Sequence, residues 1–250
     1  MAISERSFRD RQGRGQQLHD IVLDFDPAFA PADPSLGMAD FQTFLTGGLP
    51  NVPCVDQCNL AVETLTTGYT NAAEDRVDLV KNTRKFVTQA VGYVKSNKAW
   101  KTKVKAVKAA ADKLRGVRPP SRTPLPAPPA PGEPPGEPEK KRNKGEQAYA
   151  ELEAHLAKFV TAITAVPGYL PPATEILITT FNGYLSQLRS LNSGISTVAS
   201  QLINAREDRR ALYYDGESSF QAKFLAIKEA VKGQYGQTSP KYNAVKGKKW

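Results

Sequence analysis

Apolar residues along this chain recur at alternating steps of three and four, and the same phase is written twice. In the later stretch Leu177, Phe181, Tyr184, Leu188, Leu191, Ile195, Val198, Leu202, Ala205 and Leu212 keep that step, broken only by Arg209. In the earlier one Cys58, Val62, Leu65, Tyr69, Ala72 and Leu79 do the same, broken by Arg76. A stripe of this period is the mark of a helix with one buried face, and over several heptads it predicts coiled-coil-like packing. The two stretches also share residues. Asn71-Ala72-Ala73-Glu74-Asp75-Arg76 returns 133 positions later as Asn204-Ala205-Arg206-Glu207-Asp208-Arg209, and 8 of the 22 residues in 58–79 match those in 191–212. The pattern predicts an all-α fold: a duplicated helical-bundle repeat with long central helices.

Punctuation by glycine and proline divides the chain further. Residues 1–37 open polar and Arg-rich and continue through Ile21, Leu23 and Phe25 to Pro27, Pro31, Pro34 and Gly37. This reads as a flexible N-terminal arm whose apolar cluster either docks a partner or folds back over the bundle. The first repeat, 38–116, is expected to hold a short helix over 38–46, a long one over 56–97 and a third over 99–115 closed by Gly116. The second, 144–250, is expected to hold helices over 146–166, 174–214 and from Phe220 to near Gly236. Ser239-Pro240 there reads as a cap and first-turn proline for a last short turn. Between the repeats, 117–143 is proline-rich: residues 119–138 contain ten of the nineteen prolines. That tract reads as an extended, semi-rigid linker.

The net charge of +9 changes the picture once it is divided by region. Residues 98–122 carry nine Lys or Arg against Asp112 alone, and residues 219–250 carry seven Lys against Glu229 alone. Positive charge therefore collects at the end of each repeat. Lys98, Lys101, Lys105, Lys108, Lys241, Lys246, Lys248 and Lys249 are the candidate anion-binding residues, suited to phosphates of nucleic acid or to an anionic membrane surface without reading sequence. A solvated outer helix face explains the same residues.

Arg76 and Arg209 are the candidate buried polar or partner site, each with its neighbouring acid, Asp75 and Asp208. A charge on a packed seam needs a counter-group or an opening to water. Three readings stand: a device that fixes helix register, an anion or partner site, or a stripe at the bundle edge with the arginine stem on the core and its head in water. Because residues one and two back face elsewhere on a helix, any partner carboxylate has to come from another helix.

For catalysis and cofactors the expectation is none. No phosphate loop, dinucleotide fingerprint, nucleophile elbow or H-E-x-x-H motif is present. Cys54 and Cys58 supply two ligands where a structural zinc site wants four, and His19 and His155 stand far apart. No apolar run is long enough to span a membrane and no apolar leader opens the sequence, so a cytoplasmic location is the expectation.

The stretch 205–213, followed by Val231-Lys232, Tyr235-Gly236 and Ser239-Pro240-Lys241-Tyr242, resembles the C-terminal region of small helical proteins of bacteria to which no activity is assigned. The resemblance covers roughly the last eighty residues and implies a bacterial origin. The combined expectation is a non-enzymatic scaffold or adaptor that binds a protein partner or self-associates. Non-specific binding of nucleic acid or anionic membrane is the alternative, and no small-molecule substrate is evident.

Overall fold

The computed structural model describes residues 5–47, 54–116 and 149–250. Among them are eight α-helices and no strand: α1 (Glu5–Leu23), α2 (Met38–Thr46), α3 (Val55–Ser96), α4 (Lys101–Arg115), α5 (Tyr149–Thr164), α6 (Ile178–Tyr214), α7 (Phe220–Tyr235) and α8 (Pro240–Lys246). The class is all-α. The proline-rich tract expected over 117–143 lies outside the described residues.

Helix ends follow local chemistry. The Ser219 hydroxyl accepts the amide of Ala222 at the start of α7, and Ser239 accepts that of Tyr242 at the start of α8, with Pro240 in the first turn. Gly47, Gly116 and Gly236 follow α2, α4 and α7 at φ of 87°, 74° and 87°, where a side chain would be strained. Short 3-10 turns precede α2 (Pro34–Leu36), α4 (Lys98–Trp100) and α6 (Thr174–Ile176). Asp33 and Asn97 cap two of these turns by accepting the amides of Ser35 and Ala99.

The N-terminal region departs from expectation. Instead of an arm, residues 5–23 form α1, which buries Phe8, Leu18 and Val22. The stripe is 8, 11, 15, 18, 22, and two of its positions are disguised. Arg11 lies over the rings of Tyr214 and Trp250, at 5.1 and 5.7 Å, and Gly15 is buried against Phe220. Of the apolar cluster, Ile21 and Phe25 pack on the core, whereas Leu23 is exposed.

The chain forms two compact units, Asn71–Ser196 and Met1–Thr70 with Thr197–Trp250, which do not follow the expected boundaries at 38–116 and 144–250. The contiguous unit holds the later part of α3, α4, α5 and the first part of α6. Its core includes Val87, Val94, Trp100, Phe159, Ile163 and Phe181. The discontinuous unit holds α1, α2, the first part of α3, the last part of α6, α7 and α8. Its core includes Leu18, Phe41, Tyr213, Phe220, Phe224 and Ile227. Along α6, every seventh residue from Phe181 through Leu188, Ile195 and Leu202 to Arg209 is buried, as the heptad pattern predicts for all but the last.

Candidate functional site

Arg209 is 4% exposed, so it does not sit at a bundle edge with its head in water. Its guanidinium carbon lies 4.0 Å from the centroid of the Phe8 ring, which α1 supplies. Phe8 in turn meets Tyr213 edge-on at 4.8 Å. The Tyr213 hydroxyl donates to the Phe8 carbonyl (3.1 Å) and accepts from Asn59 Nδ2 (3.0 Å). The same amide donates to Gln12 Oε1 (2.9 Å), and Gln12 donates to the Asp56 carboxylate. Burial pushes the Tyr213 phenol up to about 12, against the opposing pull of the Asn59 hydrogen bond and of Arg209.

Arg76, in the contiguous unit, has a similar setting. It is half-buried, with its guanidinium carbon 3.4 Å from the centroid of Tyr149 at the start of α5. Its Nη1 donates to Asn192 Oδ1 (3.4 Å). Asn192 Nδ2 donates to the Tyr149 carbonyl and to Glu153, each at 3.5 Å, and Glu153 accepts from Arg189 Nε at 2.9 Å. In both places an arginine spreads over an aromatic ring on another helix, and an asparagine from a long helix ties that region to the ring-bearing helix. The face of an aromatic ring attracts a desolvated guanidinium, which is how a cation enters a seam where a carboxylate was expected. Asp75 and Asp208 have exposed side chains.

Sequence reasoning missed Phe8 and Tyr149, which lie far from their arginines in the chain. A signal for Asn59 and Asn192 was present, since they are one of the identical pairs at the 133-residue offset.

The candidate lysines divide into two groups. Lys98, Lys101, Lys105 and Lys108, joined by Lys103, are exposed on and just before α4 and form no ion pair among the described residues. Lys246 and Lys249 are also exposed. Lys241 and Lys248 are engaged instead. Lys241 donates to the Asp26 carbonyl and lies 4.3 Å from the centroid of Tyr235, and Lys248 reaches Gln17 Oε1 at 3.4 Å.

Cys54 is buried and Cys58 half-buried, both as free thiols; burial, Cys54 and Asp208 raise the Cys58 thiol above its usual range. Among the described residues no group of three His, Cys, Asp or Glu side chains is placed to hold a metal ion, and no helix is long and apolar enough to cross a membrane. His155 is half-buried, and burial with Lys158 and Lys113 nearby holds its pKa below the usual histidine range.

In the discontinuous unit, a cavity of about 370 Å³ opens beside Arg209. Among the described residues Arg9, Asn59, Val62, Glu63, Thr66 and Thr67 also line it, and Arg9 pairs with Glu63 at 2.7 Å.

Compared with known proteins, the chain matches no family model, no curated protein and no solved structure.

Proposed function

We propose that the chain is a non-enzymatic helical scaffold that binds a protein partner, built by duplication of one helical repeat. The observation that carries this reading is the use made of the two seam arginines. Each is spent on an aromatic ring from another helix, Arg209 on Phe8 and Arg76 on Tyr149, which holds helices in register rather than presenting a reactive group. In this reading α1 corresponds to α5, α2 with α3 to α6, and α4 to α7. Burial supports the first correspondence: Phe8, Gly15, Leu18 and Val22 line up with Tyr149, Leu156, Phe159 and Ile163. The copy then begins at α1, and each arginine rests on a ring contributed by the first helix of the other copy. A bacterial, cytoplasmic setting belongs to this reading, its bacterial part resting on the C-terminal resemblance.

The test is recovery of the intact protein from bacterial lysate at low and high salt after nuclease treatment. A protein partner retained under both conditions is the expected result; recovery of nucleic acid or lipid alone, lost at high salt, overturns the reading.

The second reading is non-specific binding of nucleic acid or anionic membrane through α4. It is favoured by the exposed Lys98, Lys101, Lys103, Lys105 and Lys108, whose charges are not neutralised by any described acid. It predicts that affinity for duplex DNA or anionic vesicles falls steeply with salt and is lost in K101E/K105E/K108E. Binding that survives that triple substitution excludes α4 as the contact.

A further inference from the structure

Charge is not shared between the two units. Residues 71–196 carry twenty Lys or Arg and eleven Asp or Glu, whereas 1–70 and 197–250 together carry fourteen of each, so the whole net charge of +9 belongs to the contiguous unit. Within it, residues 79–116 hold eleven Lys or Arg with Asp112 as the one acid, and Asp112 pairs with Arg115 at 2.6 Å.

Helical period sorts these residues into rows. On α3, Lys81, Lys85, Thr88, Gly92 and Lys95 follow steps of four and three and are all exposed, opposite the buried Val87, Ala90 and Val94. On α4, the exposed Lys101, Lys105 and Lys108 keep the same steps on to Asp112 and Arg115. Each row is about 21 Å long at about 1.5 Å per residue. Two contacts set the rows side by side: Arg84 Nε donates to the Leu114 carbonyl at 3.1 Å, and Arg115 Nη1 donates to the Thr88 hydroxyl at 3.4 Å. Arg115 ends the α4 row and Thr88 lies within the α3 row, so the two adjoin on one side of the unit.

A merely solvated helix face explains these rows poorly. Glu and Lys four residues apart attract, whereas two lysines four apart repel. Lys81 with Lys85 and Lys101 with Lys105 stand at the repelling spacing, and among the described residues none of the six lysines in the rows forms an ion pair. Such a surface is relieved by a polyanion. The residues in and beside the rows decide which one. Thr88, Gly92, Thr102, Ala106 and Ala109 are exposed there, while Trp100, Val107 and Leu114 are buried in the core. A helix lying on a membrane needs a bulky apolar face to sink among the lipids. Single strands are held by exposed rings on which bases stack. Neither feature is present on these rows. Two rows on helices roughly 8–10 Å apart instead match the two phosphate rows that flank a groove about 6–12 Å wide.

We infer that Lys81, Lys85 and Lys95 of α3 and Lys101, Lys105 and Lys108 of α4 form one surface that grips the phosphate backbone of a nucleic-acid duplex without reading its sequence. This rests on the second reading above, which it extends from α4 to α3 and narrows to the duplex.

Fluorescence anisotropy of the full-length protein with a labelled DNA duplex and its separate single strand, beside cosedimentation with vesicles of phosphatidylcholine and phosphatidylserine, tests it. Six phosphate contacts give log K a slope of about −5 against log[salt], a loss of about a thousandfold between about 50 and 200 mM salt. K81Q/K85Q/K95Q is expected to halve that slope, leaving a loss of about fortyfold, with helicity by circular dichroism unchanged. K103Q, about 200° around α4 from Lys101, should leave the slope as it is. If K81Q/K85Q/K95Q binds as the parent does while K101E/K105E/K108E loses binding, the inference fails and the second reading stands. If the protein binds none of the probes, both fail. The inference is also overturned if vesicles or the single strand bind as tightly as the duplex, or if K103Q lowers the slope as much as K81Q alone.

Discussion

Arg209 shows how a residue that looks misplaced in the sequence becomes a structural contact. Its stem fills a heptad position and its head covers Phe8, so Arg209→Ala removes both packing and a desolvated cation–π contact. The expected cost is about 2 kcal/mol or more for Arg209→Ala and about 1 kcal/mol for the half-buried Arg76→Ala, read from the midpoint of urea unfolding. Equal shifts for the two would contradict their different burial. Tyrosine ionisation gives a second prediction at this scale. Burial raises Tyr213 and Tyr169 from an ordinary value of 10 to about 12. The folded state therefore holds its phenolic protons more tightly than the unfolded chain does. That contribution to stability is complete below pH 10 and is lost as pH rises from 10 towards 12. Alkaline unfolding should be steep in this window and shallower in Tyr213→Phe, followed by circular dichroism. The arginines were legible as charges in an apolar phase, because a break in a regular pattern is local. Their aromatic partners were not, because Phe8 and Tyr149 sit on helices more than seventy residues away and no local rule names a ring as the counter-group.

At the scale of elements, α1 contains a pair of glycines whose substitution should have opposite signs. Alanine is favoured over glycine in a helix by about 0.5–1 kcal/mol. Gly13 has nothing within 4 Å of the position a methyl group would occupy, so Gly13→Ala should stabilise by about that amount. At Gly15 the methyl carbon would stand 2.3 Å from the Phe220 ring and 3.3 Å from Leu45, so Gly15→Ala should destabilise by about 1–3 kcal/mol through overpacking. Thermal denaturation of the two variants settles the signs. Loss of a cap is the other test at this scale: Ser219→Ala removes the acceptor for the Ala222 amide and should cost about 1 kcal/mol. Most helices were readable, since hydrophobic period, serine caps and glycine stops acted together in α2 to α8. The first helix was not readable, because arginine and glycine occupy two seam positions that only the rings of Tyr214, Trp250 and Phe220 explain.

At the scale of the molecule, neither half of the sequence contains a complete unit. Residues 1–116 hold α1, α2 and α3, but the discontinuous unit also needs α7, α8 and the end of α6. Residues 149–250 hold α5 and the start of α6, while the contiguous unit also needs α4 and the end of α3. Chain halves divided within 117–148 should therefore be poorly helical alone and gain helicity when mixed, as seen by circular dichroism; independent folding of either half would contradict the division. Units assembled from both ends of the chain were hidden from sequence because heptad phase tells which face of a helix is buried and says nothing about which helix covers it. The contiguity of one unit also orders events during synthesis. Residues 71–196 leave the ribosome as an uninterrupted stretch and can close their core while later residues are still being added. Helix α1, made before that stretch, has to keep Phe8, Leu18 and Val22 exposed until residues 197–250 emerge to cover them, so it waits longest of the described helices for its cover and is a natural client for a chaperone.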